Sequence, residues 1–310
     1  MESEGRAEWL EARRKGLGGS DIAAIMGVSP WATEMDVYLD KMGLSKDKDS
    51  AAKARGRYLE RAVAEWYADK NEVEISAGGH FHGRADFMMG TPDFWVNVPG
   101  KSDKWGLEIK TARSDRGWGK EGSDDIPPYY KTQCHWYMLI SEQEVWDVAV
   151  YFTMKDEFRQ YRLVKDESFH KEMLDKATSW WMEHVIRESP PELDGSKASA
   201  ALLQNNFPED NGESREPSIR EFELMLELNS VNEALKGLKE RKDTTVNMIK
   251  ELMGADTIIV NENVKATWRL GNGRKTVDAK AFRRDHPDLA EKYTNTTEPT
   301  RTFRFTYNGE

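Results

Sequence analysis

Apolar and polar residues alternate along two stretches near the middle of the chain, Thr91-Pro92-Asp93-Phe94-Trp95-Val96-Asn97-Val98 and Gly106-Leu107-Glu108-Ile109-Lys110. In a strand, alternation sends successive side chains to opposite faces. Leu107 and Ile109 are therefore expected in a core, with Glu108 and Lys110 side by side on the other face. The intervening Pro99-Gly100-Lys101-Ser102-Asp103-Lys104 has turn composition and predicts a hairpin. A loop centred near Lys101 and Ser102 brings Asp93 within a residue or two of lying across from Lys110.

Helical periodicity frames this hairpin. A short helix is expected over Glu4 to Arg14, with Trp9 and Leu10 on its buried side. Lys15-Gly16-Leu17-Gly18-Gly19-Ser20-Asp21 reads as a turn feeding a helix, with Ser20 as N-cap. Further helices are expected over Glu34 to Met42 and Ala51 to Lys70. The second carries Leu59, Ala62, Val63, Trp66 and Tyr67 on one face, with Glu60 at the edge of that stripe. Strands are expected over Val73 to Ile75, Phe81 to Met89, Asp93 to Val98 and Trp105 to Thr111. Pro127-Pro128-Tyr129-Tyr130 opens a helix to about Ile140, on which Tyr130, Gln133 and Tyr137 share a face. Strands over Val145 to Thr153 and Phe158 to Val164, then a helix over Asp166 to Glu188, complete an α/β sheet flanked by helices.

This pattern predicts a core over residues 1–190, a connector over 191–217 rich in Pro, Gly, Ser, Asn and acids, and an appendage over 218–310. The connector holds one short helical piece, Ala198 to Gln204. In the appendage Leu224, Leu228, Val231, Leu235, Leu238, Ile249 and Leu252 form a coiled-coil-like seam, interrupted at Lys242 and Thr245 and ended by Gly254. A hairpin of Thr257 to Val260 and Val264 to Leu270, a helix over Asp278 to Arg284 and a strand over Thr302 to Tyr307 are expected after it. The appendage carries no catalytic constellation. A packing role and an oligomerisation or partner-docking role suit it equally.

Composition narrows the class. In 310 residues, 38% are hydrophobic and 11 are Trp, which fits a globular protein rather than a disordered one. No apolar run reaches the length of a membrane span and the first residues lack a signal-peptide pattern, so a cytosolic location is expected. The lone Cys134 excludes an intramolecular disulfide and a cysteine-built zinc or iron–sulfur site. A net charge of −10 argues against general coating of DNA. It leaves room for a local site, because Arg13, Arg14, Lys15, Arg84, Lys110, Arg113, Arg116 and Lys120 lie near the hairpin in sequence.

One acid on the first strand, with an acid and a lysine on the second, outlines a metal-assisted phosphodiesterase. Such hydrolysis needs a divalent cation to screen phosphate charge and supply hydroxide near neutral pH. Magnesium is content with two carboxylates, a backbone carbonyl and waters. A lysine two residues on can orient the attacking water and stabilise developing charge. Arg13 beside a helix N-terminus suits an anion such as a terminal phosphate.

These pieces, in this order, resemble the phage lambda exonuclease family, in its YqaJ-type viral recombinase branch of the PD-(D/E)XK nuclease superfamily. The resemblance rests on Trp9, Arg13 and Gly18-Gly19-Ser20-Asp21; Gly56-Arg57-Tyr58-Leu59-Glu60; Thr91-Pro92-Asp93; Glu108-Ile109-Lys110; and Tyr130 with Gln133. It implies a restriction-endonuclease-like core, a central mixed sheet flanked by helices, with a C-terminal helical and β-hairpin appendage. It implies Mg²⁺-dependent digestion of the 5′-ended strand of linear duplex DNA, leaving 3′ overhangs for recombination by single-strand annealing, with Mn²⁺ as a substitute ion. Asp93, Glu108 and the Ile109 carbonyl would hold metal, Lys110 would act on the nucleophilic water, and Glu60 and Gln133 would assist. Arg13 and Ser20 would receive the terminal phosphate, and Thr91 and Tyr130 would contact DNA. Thr91 stands where the best-known member has serine, and Asp86 is out of register for a further acid of that member. Implied partners are duplex ends, a single-strand annealing protein and further copies of the chain in a trimer, in a bacterial host cytosol if the chain is phage-encoded. An endonuclease or nickase on the same core, and a non-catalytic end-binding module, are the rival readings. A Cas4-like nuclease would need more cysteines.

Overall fold

A computed structural model describes residues 11–45, 51–100, 104–273, 275–296 and 300–307. Trp9 and Leu10, and the loop centre at Lys101 and Ser102, lie outside the described residues. Residues 11–14 are helical. The chain divides into two units, residues 1–205 and 206–310.

The first unit opens with α1 (Gly19–Ile25), α2 (Glu34–Lys41) and α3 (Ala51–Asn71). Five strands follow: β1 (Glu74–Ala77), β2 (Phe81–His82), β3 (Met89–Gly90), β4 (Phe94–Asn97) and β5 (Lys104–Ala112). Then come α4 (Pro128–Ser141), β6 (Val145–Phe152), β7 (Glu157–Val164), α5 (Glu167–Trp180) and α6 (Lys197–Asn206). The central sheet has the order β1-β4-β5-β6-β7. Its pairs are antiparallel except β5 with β6, which run parallel. Parallel neighbours need a crossover, and α4 lies in that connection.

Both faces of the sheet are covered. On one, Leu107 and Ile109 of β5 pack with Val63, Ala64 and Tyr67 of α3 and with Phe94, Val96, Ala149 and Phe158. On the other, Trp136, Tyr137 and Met138 of α4 join Trp146, Val148, Val150 and Phe152. Burying each such large apolar side chain contributes about 1.5–3 kcal/mol. Glycine is required at 106, because a Cβ there would lie 2.2 Å from the Trp146 ring. The α4 helix starts where Pro127 and Pro128 supply a fixed φ and need no N–H partner.

Several expected boundaries shift. The stretch Phe81 to Met89 is not one strand but two short ones, β2 and β3, paired across a turn in which Gly83 N–H donates to Met88 O. Gly83 lies too close to Ile140 for a Cβ, which would sit 3.0 Å from its Cγ2. The helix expected through Glu188 is α-helical only to Trp180 and continues as a π-helical turn over Trp181–Ile186, where Trp181 stacks on Phe87. The first unit runs past residue 190, because Ala198 and Leu202 of α6 are buried in its core.

In the second unit, α7 (Ile219–Met253) is capped by Ser218, which exchanges hydrogen bonds with Glu221, and ends at Gly254. Val231, Leu235, Leu238 and Leu252 of its seam are exposed. A hairpin of β8 (Ile258–Val260) and β9 (Lys265–Thr267) follows, then α8 (Ala279–Asp285) and α9 (Pro287–Lys292). Thr302 to Tyr307 form no strand among the described residues: the segment alternates but finds no pairing partner. No described helix is long and apolar enough to cross a membrane.

Candidate active site

The β4–β5 register pairs Asn97 with Lys104 and ends at Phe94 with Leu107. One step further, Asp93 comes alongside Glu108. The ladder has stopped there, so the Ile109 N–H is available and donates to Asp93 Oδ2 at 2.7 Å. In a strand the N–H and C=O of one residue leave on the same side, so the Ile109 carbonyl also faces Asp93.

Glu108 and Lys110 do share the opposite face from Leu107 and Ile109, but α4 covers it. Glu108 is only 2% exposed. Its Oε1 accepts from Lys110 Nζ and, at 2.7 Å, from Gln133 Nε2. Gln133 Nε2 also donates to Tyr137 Oη at 3.0 Å, while its Oε1 lies 3.3 Å from Lys110 Nζ. The ammonium sits 4.7 Å from the centre of the Tyr130 ring. Glu108 Oε2 is buried without a hydrogen-bond partner.

The charges explain why that matters. Burial, the Asp93 carboxylate and Glu60 raise the Glu108 pKa against the opposing pull of Lys110. Burial also raises Asp93, with Lys110 and the Ile109 N–H working the other way. Glu60 is raised by burial and then by Asp93. For Lys110, burial favours the neutral amine, but Glu108 and Asp93 outweigh it and keep the pKa above its ordinary value. A charged ammonium thus stands among three acids, Glu108 buried and Asp93 and Glu60 half-buried.

An orphaned carboxylate oxygen beside a second carboxylate fits a divalent cation, whose charge would offset their repulsion. Among the described residues no three His, Cys, Asp or Glu side chains converge as a ligand set. Asp93, Glu108 and the Ile109 carbonyl are oxygen donors of the kind a hard ion takes when waters fill the rest of its shell.

The remaining expected site residues lie around this centre. Glu60 projects from α3, half-buried, close enough in charge terms to feel Asp93 and Lys110. Thr91 is exposed, with its Oγ1 2.9 Å from His80 Nδ1. Ser20 is not the N-cap of α1. Gly18 holds that position, and Asp21 accepts its N–H at 3.0 Å. The reason is Asp21 itself, buried and fixed by Lys41 Nζ at 2.7 Å and Arg13 Nη2 at 3.0 Å. Those two cations overcome the burial penalty and hold its carboxyl down at about 2. Ser20 lies exposed one residue inside the helix.

No local signal shows how the glycine turn reaches the site. A Cβ on Gly19 would lie 2.7 Å from Gln133 Cγ and 3.1 Å from the Tyr137 ring. Gly19 therefore lets α1 press against the glutamine that orders Glu108 and Lys110. An unassigned aromatic, Trp31, touches Tyr129 and Tyr130 at the edge of the site. Nothing in the spacing of these residues along the chain signals that contact.

Residues 8–144 match the model of a family described as the YqaJ-like viral recombinase domain. The chain is similar to the uncharacterized protein YqaJ of Bacillus subtilis strain 168, at 26% identity over 304 residues, covering 93% of this chain and 90% of that protein. Among solved structures it is similar to LHK-Exo in complex with dAMP, at TM-score 0.49 and 17% identity, covering 64% of this chain and 97% of that one. It is also similar to a phage-related exonuclease of Haemophilus somnus 129PT, at TM-score 0.40 and 11% identity, covering 56% and 96%. Asp93, Glu108, Lys110, Gln133 and the Gly18-Gly19 turn all fall inside residues 8–144, the span that matches the YqaJ-like viral recombinase domain model.

Proposed function

We propose that the chain is a Mg²⁺-dependent exonuclease that digests the 5′-ended strand of linear duplex DNA and leaves 3′ overhangs for recombination by single-strand annealing. The observation that carries this reading is Glu108, a buried carboxylate with one oxygen held by Lys110 and Gln133 and the other left without a donor beside Asp93. A bound divalent cation would supply Lewis acidity and hydroxide near neutral pH, held by Asp93, Glu108 and the Ile109 carbonyl.

The chain's own residues divide the rest of the work. Lys110 stays protonated, so it acts as a donor and a positive charge rather than as a base. Glu108 and Gln133 occupy two of its three N–H donors, which aims the third. That donor is suited to orient the attacking water and to steady the charge that grows on the phosphate. Gln133 fixes both partners and is itself fixed by Tyr137. Glu60 adds negative charge at the rim and favours cation binding. Arg13, though engaged by Asp21, keeps its side chain 37% exposed, and with Ser20 it offers donors for a terminal phosphate. Thr91 and Tyr130 border the path of the strand.

The test is digestion of linear 5′-phosphorylated duplex and of closed circular duplex, with Mg²⁺ or EDTA, by the wild type and Lys110→Ala. Loss of the linear DNA alone, only with Mg²⁺ and only by the wild type, is expected. End-labelled strands then give the polarity. Cutting of the circle would replace this reading with an endonuclease, and inert wild-type protein would leave an end-binding module.

A further inference from the structure

Trp31 is large, apolar and 68% exposed. A single exposed aromatic is ordinary on a protein surface, but this one is neither isolated nor loosely held. The Ser29 hydroxyl accepts the backbone N–H groups of Trp31 at 3.3 Å and Ala32 at 3.2 Å, which fixes the loop between α1 and α2. Its indole meets the Tyr129 ring edge-on at 4.4 Å and lies 5.9 Å from the Tyr130 ring. Tyr129 and Tyr130 are in turn 4.3 Å apart, and Tyr130 is the ring under the Lys110 ammonium. Three aromatic rings thus run from the candidate catalytic lysine outward, and the outermost leaves most of its surface uncovered.

We propose that Trp31, backed by Tyr129 and Tyr130, is a stacking platform for a nucleobase of the strand whose phosphodiester lies at Lys110. The inference rests on the nuclease reading above and adds the group that holds the base. Every nucleobase has a flat π-face, so an aromatic platform binds without regard to sequence, and it needs no surplus of positive charge. That suits a chain with a net charge of −10, whose affinity for DNA cannot come from broad phosphate attraction. Tyr129 buttresses the indole edge-on, an arrangement aromatic rings favour, Tyr130 lies tilted beside it, and the outer surface of the indole is left to a ligand.

The experiment measures binding in EDTA, where metal-dependent hydrolysis is off. The probes are a short 5′-phosphorylated duplex and the same duplex with abasic terminal nucleotides, against wild type, Trp31→Ala and Trp31→Phe. Trp31→Ala should weaken binding of the intact duplex by about 5- to 100-fold and leave the abasic duplex unaffected, with Trp31→Phe close to wild type. With Mg²⁺, the Trp31→Ala defect should fall on KM and spare kcat. Equal losses on both duplexes, no loss on either, or no wild-type binding would each overturn the platform. If the platform holds but the wild type hydrolyses nothing in Mg²⁺, the nuclease reading fails alone.

Discussion

Two buried acids on neighbouring strands, Glu108 of β5 and Asp147 of β6, are served very differently. Asp147 faces α3 and is saturated: Trp105 Nε1 donates at 2.8 Å, Arg162 donates through Nε and Nη2 at 2.7 Å each, and Tyr67 Oη donates as well. Glu108 faces α4 with one oxygen occupied and one bare, and with Asp93 and Glu60 raising its pKa. A carboxylate that serves the fold collects donors until its charge is spent. One kept short of donors, next to another acid, keeps its charge uncompensated, the kind of arrangement found at functional sites.

The sharpest way to break this contrast is to neutralise each acid in turn. Glu108→Gln should abolish measurable Mg²⁺-dependent hydrolysis while leaving the thermal midpoint unchanged or higher, since it relieves repulsion with Asp93. A marked fall in midpoint would show that Glu108 is structural after all. Asp147→Ala should do the reverse and cost about 1–3 kcal/mol in urea unfolding, because it leaves the buried Tyr67 hydroxyl and the Trp105 indole N–H without their acceptor. Unfolding at the wild-type denaturant concentration would count against the saturated network.

A smaller effect concerns pH. The His135 and His170 rings meet at 3.1 Å, and burial, His170 and Lys131 depress His135 to about 4. The unfolded imidazole titrates near 6.5, so between about 6.5 and 4 the unfolded chain binds more protons. Stability from this group is whole above that window and is lost as the pH falls through it. Thermal midpoints from pH 7 to pH 5 should drop, and drop less steeply in His135→Gln; parallel slopes would dismiss the pair as the cause. Smallest is Gly19→Ala, where the added methyl pushes on Gln133. A fall in kcat of about tenfold is expected from misplacement of the site, with little change in unfolding, and an unaltered rate would mean that Gln133 gives way freely.

The hairpin was legible in the sequence because strand alternation and turn composition are local signals, and they bring Asp93, Glu108 and Lys110 together without help. What covers Glu108 was not, since alternation assigns a face but not its neighbour. The N-cap at Gly18 was hidden because Asp21 looks like an ordinary first-turn acid until Lys41, 20 residues on, is packed against it. The His135 and His170 pair is separated by 35 residues and has no periodic signature. The last segment, Thr302 to Tyr307, shows the converse: alternation predicts a strand only where a partner exists.

The crossover between β5 and β6 has a consequence for how the site comes into being. Asp93 and Lys110 belong to one hairpin and can meet as soon as it closes, on the timescale of local contacts. Gln133 arrives later, on α4, only when the chain has folded back to lay β6 beside β5. The two acids can therefore meet before the lysine is aimed. Bringing the acids together and aiming the lysine are two stages of one assembly, and they can be separated by anything that delays the helix.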